Sequence, residues 1–98
     1  VSLPVVFHDL AEIEMNEAAA YYSSARPGLG EAFIAEVERA VGLVVADPLA
    51  GQLVDGLVLR RLLRRFPYGI FYRVRVDDIR ILAVAHQKRR PMYWRGRR

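Results

Sequence analysis

Two runs in the second half of the chain carry the clearest pattern. Residues 70–76 (IFYRVRV) and 79–86 (IRILAVAH) are rich in β-branched and aromatic side chains and flank Asp77-Asp78. Runs of this kind around a two-residue turn predict a β-hairpin. Asp suits the turn because its carboxylate bonds nearby backbone. A two-residue turn sets the register: Val76 faces Ile79, Arg75 faces Arg80, Val74 faces Ile81, and so outward to Ile70 opposite Ala85. Alternation then places Ile70, Tyr72, Val74, Val76, Ile79, Ile81, Ala83 and Ala85 on one uncharged face that must be covered. The other face carries Phe71, Arg73, Arg75, Arg80, Leu82, Val84 and His86. Arg75 directly opposite Arg80 costs a few tenths to about 1 kcal/mol, so this second face reads as a working surface, open at one end.

Upstream, residues 3–7 (LPVVF) predict a short strand, at an edge because Pro4 cannot donate to a ladder. Asp9 and Glu12 have the spacing of a capping box, which starts a helix over about 10–24 with Leu10, Ile13, Glu17 with Ala18, and Tyr21 at helical intervals. The Ala triplet 18–20 allows close approach to another element. Pro27-Gly28 breaks the chain. A second helix follows over roughly 30–46, with Phe33, Val37, Ala40, Val41 and Val44 as its apolar stripe, and ends at Asp47-Pro48. Residues 47–56 read as a loop. In 57–66 (LVLRRLLRRF), Leu59, Leu62, Leu63 and Phe66 have helical spacing, but the short preceding loop and the following hairpin favour a strand, bent near Arg64-Arg65. The order strand, helix, helix, three strands and a tail is α+β: a helical hairpin on one face of a mainly antiparallel sheet, in one domain over 1–98.

Charge sharpens the picture. Residues 1–56 hold two basic and nine acidic side chains, and residues 57–98 hold thirteen basic and two acidic ones, so the halves carry −7 and +11. Segregation of this kind points to an anionic partner for the second half: nucleic acid, an acidic protein segment, or both. The chain has no cysteine, which excludes disulfides and zinc–thiolate sites. No metal or cofactor is expected. The apolar runs are too short to span a bilayer and no signal-peptide pattern opens the sequence, so the expected setting is cytoplasmic, without a membrane partner.

The residues also carry a resemblance. An acidic first helix ends in Tyr21-Tyr22, Pro27-Gly28-Leu29-Gly30 precedes Phe33, and Asp47-Pro48 follows the second helix. Arg60-Arg61 come next, then Arg65-Phe66-Pro67-Tyr68 with Ile70 and Tyr72, Ile81 to His86 (ILAVAH), and Arg89-Arg90-Pro91-Met92-Tyr93-Trp94. In this order and spacing the set resembles the RelE/ParE superfamily of toxins from bacterial type II toxin–antitoxin systems, over nearly the whole chain. The resemblance implies a helical hairpin against a curved antiparallel sheet, a growth-inhibiting activity, and a co-expressed antitoxin. It leaves two targets open, since some relatives cleave mRNA on the ribosome and others poison DNA gyrase.

A nuclease needs a general base, a general acid and cations at the phosphate. His86 is the candidate for proton transfer, on the predicted face of Arg73, Arg75 and Arg80. Arg60 or Arg61 from the adjoining strand joins these arginines. Arg89 and Arg90 extend the basic surface, and Tyr93 and Trp94 are candidates to stack a base. Each has a plainer reading: His86 as a strand cap, Tyr93 and Trp94 as a hydrophobic lid, the arginines as a solvated face, His8 as local structure at the helix start. Whether residues 95–98 are ordered is left open. The predicted basic face carries no acid beyond the turn pair Asp77 and Asp78, a departure from the Glu–His nuclease branch. The expectation is therefore a ParE-like action on gyrase, with a RelE-like ribosome-dependent nuclease second and a non-toxic binding module third. The antitoxin is expected to present an acidic, partly disordered segment that orders on the arginines.

Overall fold

The computed structural model describes residues 2–98. The elements are β1 (Val5–Phe7), α1 (Asp9–Ala25), α2 (Leu29–Ala46), a 3₁₀ turn (Pro48–Ala50), β2 (Gln52–Asp55), β3 (Val58–Leu62), β4 (Tyr68–Val74) and β5 (Ile79–His86). They form one five-stranded sheet in the order β1-β5-β4-β3-β2. All pairings are antiparallel except β1 with β5. The α+β architecture and the edge position of the Pro4 strand agree with the pattern in the sequence. Pro4 has no N–H to give, but its carbonyl accepts from the Ile79 N–H (2.9 Å).

The helix pair covers one face of the sheet, with α1 over β5 and against α2. Phe33, Val37, Ala40 and Val44 of α2 are buried there with Leu59, Ile70, Tyr72, Ile79, Ile81 and Val84. The stripe expected on α1 is displaced. Leu10 (46% exposed), Ile13 (51%) and Tyr21 (67%) face outward. Ala18 of that stripe is buried as expected, and the packed side otherwise carries Ala11, with Met15, Ala19 and Tyr22 against the core. Small residues win because they let the helix lie close to its neighbours; a Cβ on Gly30 of α2 would run into Ala19 and Ser23 of α1. The N-cap is also shifted by one: His8 Nδ1 accepts from the Leu10 N–H (3.1 Å), and Asp9 is already helical.

Residues 47–56 are more than a loop, since Gln52–Asp55 pairs with β3 across a bulge. The segment after β3 does bend, at residues 64–67. Glu36 of α2 holds that bend by accepting from the Arg64 N–H (2.8 Å) and the Arg65 N–H (3.3 Å) while pairing with Arg39 (3.0 Å). The arginine, first, and the backbone donors lower its pKa to about 2.

The hairpin register departs most from expectation. The turn spans residues 75–78, closed by Arg75 N–H to the Asp78 carbonyl (2.8 Å), and Val74 pairs with Ile79. Val76, expected under cover, is 93% exposed. Farther along, Tyr72 pairs with Ile81 but Phe71 pairs with Ala83, so Leu82 is an extra residue on β5. A bulge reverses the phase of everything beyond it. Val84 and His86 therefore pair with Ile70 and Tyr68 on the helix side, and Ala83 and Ala85 pair with Phe71 and Gly69 on the far side.

Candidate functional site: the far face of the sheet and its C-terminal strap

The face away from the helices carries Arg60 and Leu62 from β3, Gly69, Phe71 and Arg73 from β4, and Arg80, Ala83 and Ala85 from β5, as the cross-strand pairs dictate. Residues 91–98 double back over its middle. Met92 (φ 62°) and Gly96 (φ 89°) supply the left-handed turns this requires. Trp94 packs on Phe71 (ring centroids 5.2 Å) and is 3% exposed.

Two concavities flank that stack. A larger one, about 640 Å³, lies among Arg60, Leu62, Phe71, Arg89, Arg90 and Trp94, with Gln52 and Leu53 at its β2 side. A smaller one, about 480 Å³, lies among Arg73, Arg75, Arg80, Asp77, Leu82 and Arg98. In the smaller one Arg80 faces Arg73, not Arg75. Asp78 relieves the crowding by pairing with both Arg80 (3.2 Å) and Arg75 (3.4 Å).

The expected site residues are thus divided. Arg60, Arg73, Arg75, Arg80, Arg89 and Arg90 border the far-face cavities. Arg61 does not: it pairs with Ile70, so its side chain leaves the sheet on the helix side, where its charge lowers the Tyr72 pKa against the larger upward push of burial. His86 is turned away as well. It borders the larger cavity at the end of β5, yet its ring lies edge-on to Tyr68 (5.1 Å) beside the Tyr22–Phe33–Phe66 cluster, and its Nδ1 accepts from the Lys88 N–H (3.0 Å). The bulge at Leu82 is the cause. Trp94 is a lid on Phe71 with no ring face to offer a base. Tyr93 lies against two guanidinium groups, Arg89 (4.1 Å to the ring centroid) and Arg97 (5.0 Å).

The residue that organises the strap is Glu14 of α1. Its carboxylate accepts from Tyr93 Oη–H (2.7 Å), from both terminal nitrogens of Arg97 (2.9 and 3.0 Å), and from the Val84 N–H (3.1 Å). Arg97 also donates to the Leu82 carbonyl (3.0 Å). Among the described residues no strand lies beside the β5 edge beyond residue 81, and these two side chains satisfy the bulge backbone instead. Burial and then the bond to Glu14 push the Tyr93 hydroxyl pKa well above its ordinary value. A second anchor, Arg95 to Asp55 (3.0 and 3.2 Å), ties the strap to β2. Sequence reasoning missed Glu14, Asp55, Arg95 and Arg97, whose partners lie 40 to 83 residues away. One signal was available: Glu14 sits three residues after Ala11 and four before Ala18, at the edge of the packed stripe.

These features define a small α+β domain with a helix-covered core and a strapped, arginine-rich outer face. The sequence model of a protein family, ParE toxin of type II toxin–antitoxin system, parDE, matches residues 5–91, and the chain belongs to that family. Among solved structures it is similar to a chain of the chromosomal ParDE TA system from P. aeruginosa, with a TM-score of 0.65, 21% identity, and coverage of 86% of this chain and 95% of that one. The likeness is one of fold. No curated protein matches the chain.

Proposed function

We propose that this toxin arrests growth by binding DNA gyrase through its arginine face, in the cytoplasm, and that a co-expressed antitoxin with an acidic, partly disordered segment neutralises it. The observation that carries the choice of target is the Leu82 bulge. It turns His86 to the helix side, where its ring meets Tyr68 and its Nδ1 takes the Lys88 N–H, so that it reaches the larger cavity only at the rim and lies at the opposite end of the hairpin from Arg73 and Arg80. The carboxylates that reach the far face are committed or distant: Asp55 to Arg95, Asp78 to Arg75 and Arg80, and Asp77 at the turn end, remote from His86. Phosphodiester cleavage needs proton donors and acceptors within hydrogen-bond reach of the scissile atoms. This face has cations without that pair, so it is built to bind. Membership of the ParE family supports the same reading. Within the described residues no helix is long and apolar enough to cross a membrane.

The test is a supercoiling assay with purified gyrase. The chain should inhibit supercoiling and accumulate cleaved DNA, and ribosome-bound mRNA in induced cells should stay intact. Undisturbed gyrase together with transcripts cut on the ribosome would transfer the assignment to the nuclease.

A further inference from the structure

The turn that closes the β4–β5 hairpin shows an apolar side chain to solvent. Val76 is 93% exposed, the most of the exposed large hydrophobic residues, and Arg75 and Asp77 stand exposed on either side of it. A lone exposed valine is ordinary; its setting is not. Just behind the tip, Arg73 and Arg80 face each other across the strands at the smaller far-face cavity, a like-charge pairing that destabilises a sheet. Asp78 reaches Arg80 and Arg75, but among the described residues no carboxylate pairs with Arg73. The Nε of Arg80 is buried with no acceptor. A buried donor without a partner carries its desolvation cost unrelieved until an acceptor arrives.

We infer that this hairpin is a DNA-binding element whose tip enters the major groove of a duplex. Arg73 and Arg80 take a backbone phosphate, and Val76 meets the base edges. The shape suits this. The major groove of B-DNA, about 12 Å wide, admits a two-stranded β-ribbon. Strands β4 and β5 form such a ribbon up to Val74–Ile79, and the turn over 75–78 projects past the last pairs that β3 and β1 make with it. The chemistry divides in the way DNA contacts do: phosphates position the protein and base edges are read by the tip. In the groove, thymine offers its methyl group to an apolar side chain and cytosine its amino group to a carboxylate, so Val76 and Asp77 both find partners there. An acidic peptide would instead meet Asp77 as a like charge. Single strands gain affinity by stacking on aromatic faces, and among the described residues no aromatic ring lines this cavity. The major groove of A-form RNA is too narrow for side chains to read. Duplex binding stands on these observations alone; that the duplex is one held by gyrase rests on the function proposed above.

The test is fluorescence anisotropy of a labelled, mixed-sequence DNA duplex titrated with the full chain at several salt concentrations. Affinity should fall as salt rises. Arg73→Gln, at an exposed position that threatens no packing, should reduce the slope of log affinity against log salt by about one, the loss of one phosphate contact. Arg26→Gln, with the same change in net charge at the end of α1, should leave the slope unchanged. A duplex with uracil in place of thymine lacks only the methyl groups. The parent chain should bind it about fourfold more weakly, and Val76→Ser should bind the two duplexes equally. A polyglutamate peptide and an RNA duplex should compete poorly. Failure to bind the duplex, equal slopes for Arg73→Gln and Arg26→Gln, a parent chain indifferent to the thymine methyl, or competition by polyglutamate or RNA as strong as by DNA would overturn the inference. A supercoiling assay reads the toxin's target separately. Inhibition of gyrase by a chain that does not bind duplex rejects the hairpin and leaves the target; duplex binding alongside indifferent gyrase does the reverse.

Discussion

Glu14 shows how one side chain joins parts that are distant in sequence. It belongs to the acidic first half of the chain, yet it fastens the basic tail and the free edge of β5. With Arg97 it forms a mostly buried pair, 13% and 12% exposed. Removing one member of such a pair leaves the other charge uncompensated, at a cost of about 3–5 kcal/mol. Glu14→Ala should therefore lower the urea midpoint and red-shift Trp94 emission as the strap lifts from Phe71. A variant that loses stability with unchanged emission would show that Glu14 supports the core and not the strap. The candidate residues were legible in kind more than in place. Arg60, Arg73, Arg80, Arg89 and Arg90 do lie along one face. Arg61 leaves the sheet on the helix side, and His86, Trp94 and Tyr93 border the larger cavity with their rings packed on Tyr68, Phe71 and the Arg89 and Arg97 guanidinium groups, because a side chain's face depends on register and its neighbours on the tertiary fold.

Among the elements, β5 decides the layout. Its apolar run, ILAVA, is buried on both faces, so hydrophobicity alone cannot tell one phase from the other or reveal where an extra residue enters. The helices, the edge strand at Pro4 and the bend after β3 were legible, since periodicity and proline chemistry are local signals. Strand β2 was not, because four residues with a bulge leave no alternation to read. The bulge predicts a pattern of amide exchange. The Val84 N–H bonds a carboxylate, so Glu14→Ala should speed its exchange while Ile79, bonded to the Pro4 carbonyl, keeps its protection. Equal acceleration at both sites would mean that the sheet opens as a unit. Acid should expose another link. Glu36 joins α2 to the bend after β3, and its folded-state pKa is lowered from 4.5 to about 2. A depressed carboxyl stabilises the fold above its unfolded-state value, and that contribution is lost as pH falls through about 2. Glu36→Gln should flatten the fall in urea midpoint over this window; an unchanged slope would place the acid sensitivity elsewhere.

At the scale of the whole molecule the charge segregation becomes architecture. Part of the acidic first half is spent as Glu36, Glu14 and Asp55 on ordering basic segments that follow it. Of the arginines left over, Arg60, Arg73, Arg89 and Arg90 are gathered on the face opposite the helices, while Arg61 leaves the sheet on the helix side. That face gathers cations, while the imidazole at its rim, His86, is turned edge-on to Tyr68 and bonded to the Lys88 N–H. The most direct measurement is growth arrest and gyrase-linked DNA breakage on induction of His86→Ala beside a double variant, Arg60→Gln with Arg73→Gln. His86→Ala should arrest growth and accumulate cleaved DNA like the parent chain, and the arginine variant should lose both. Loss of toxicity in His86→Ala, with the parent cutting mRNA on the ribosome, would contradict the binding mechanism.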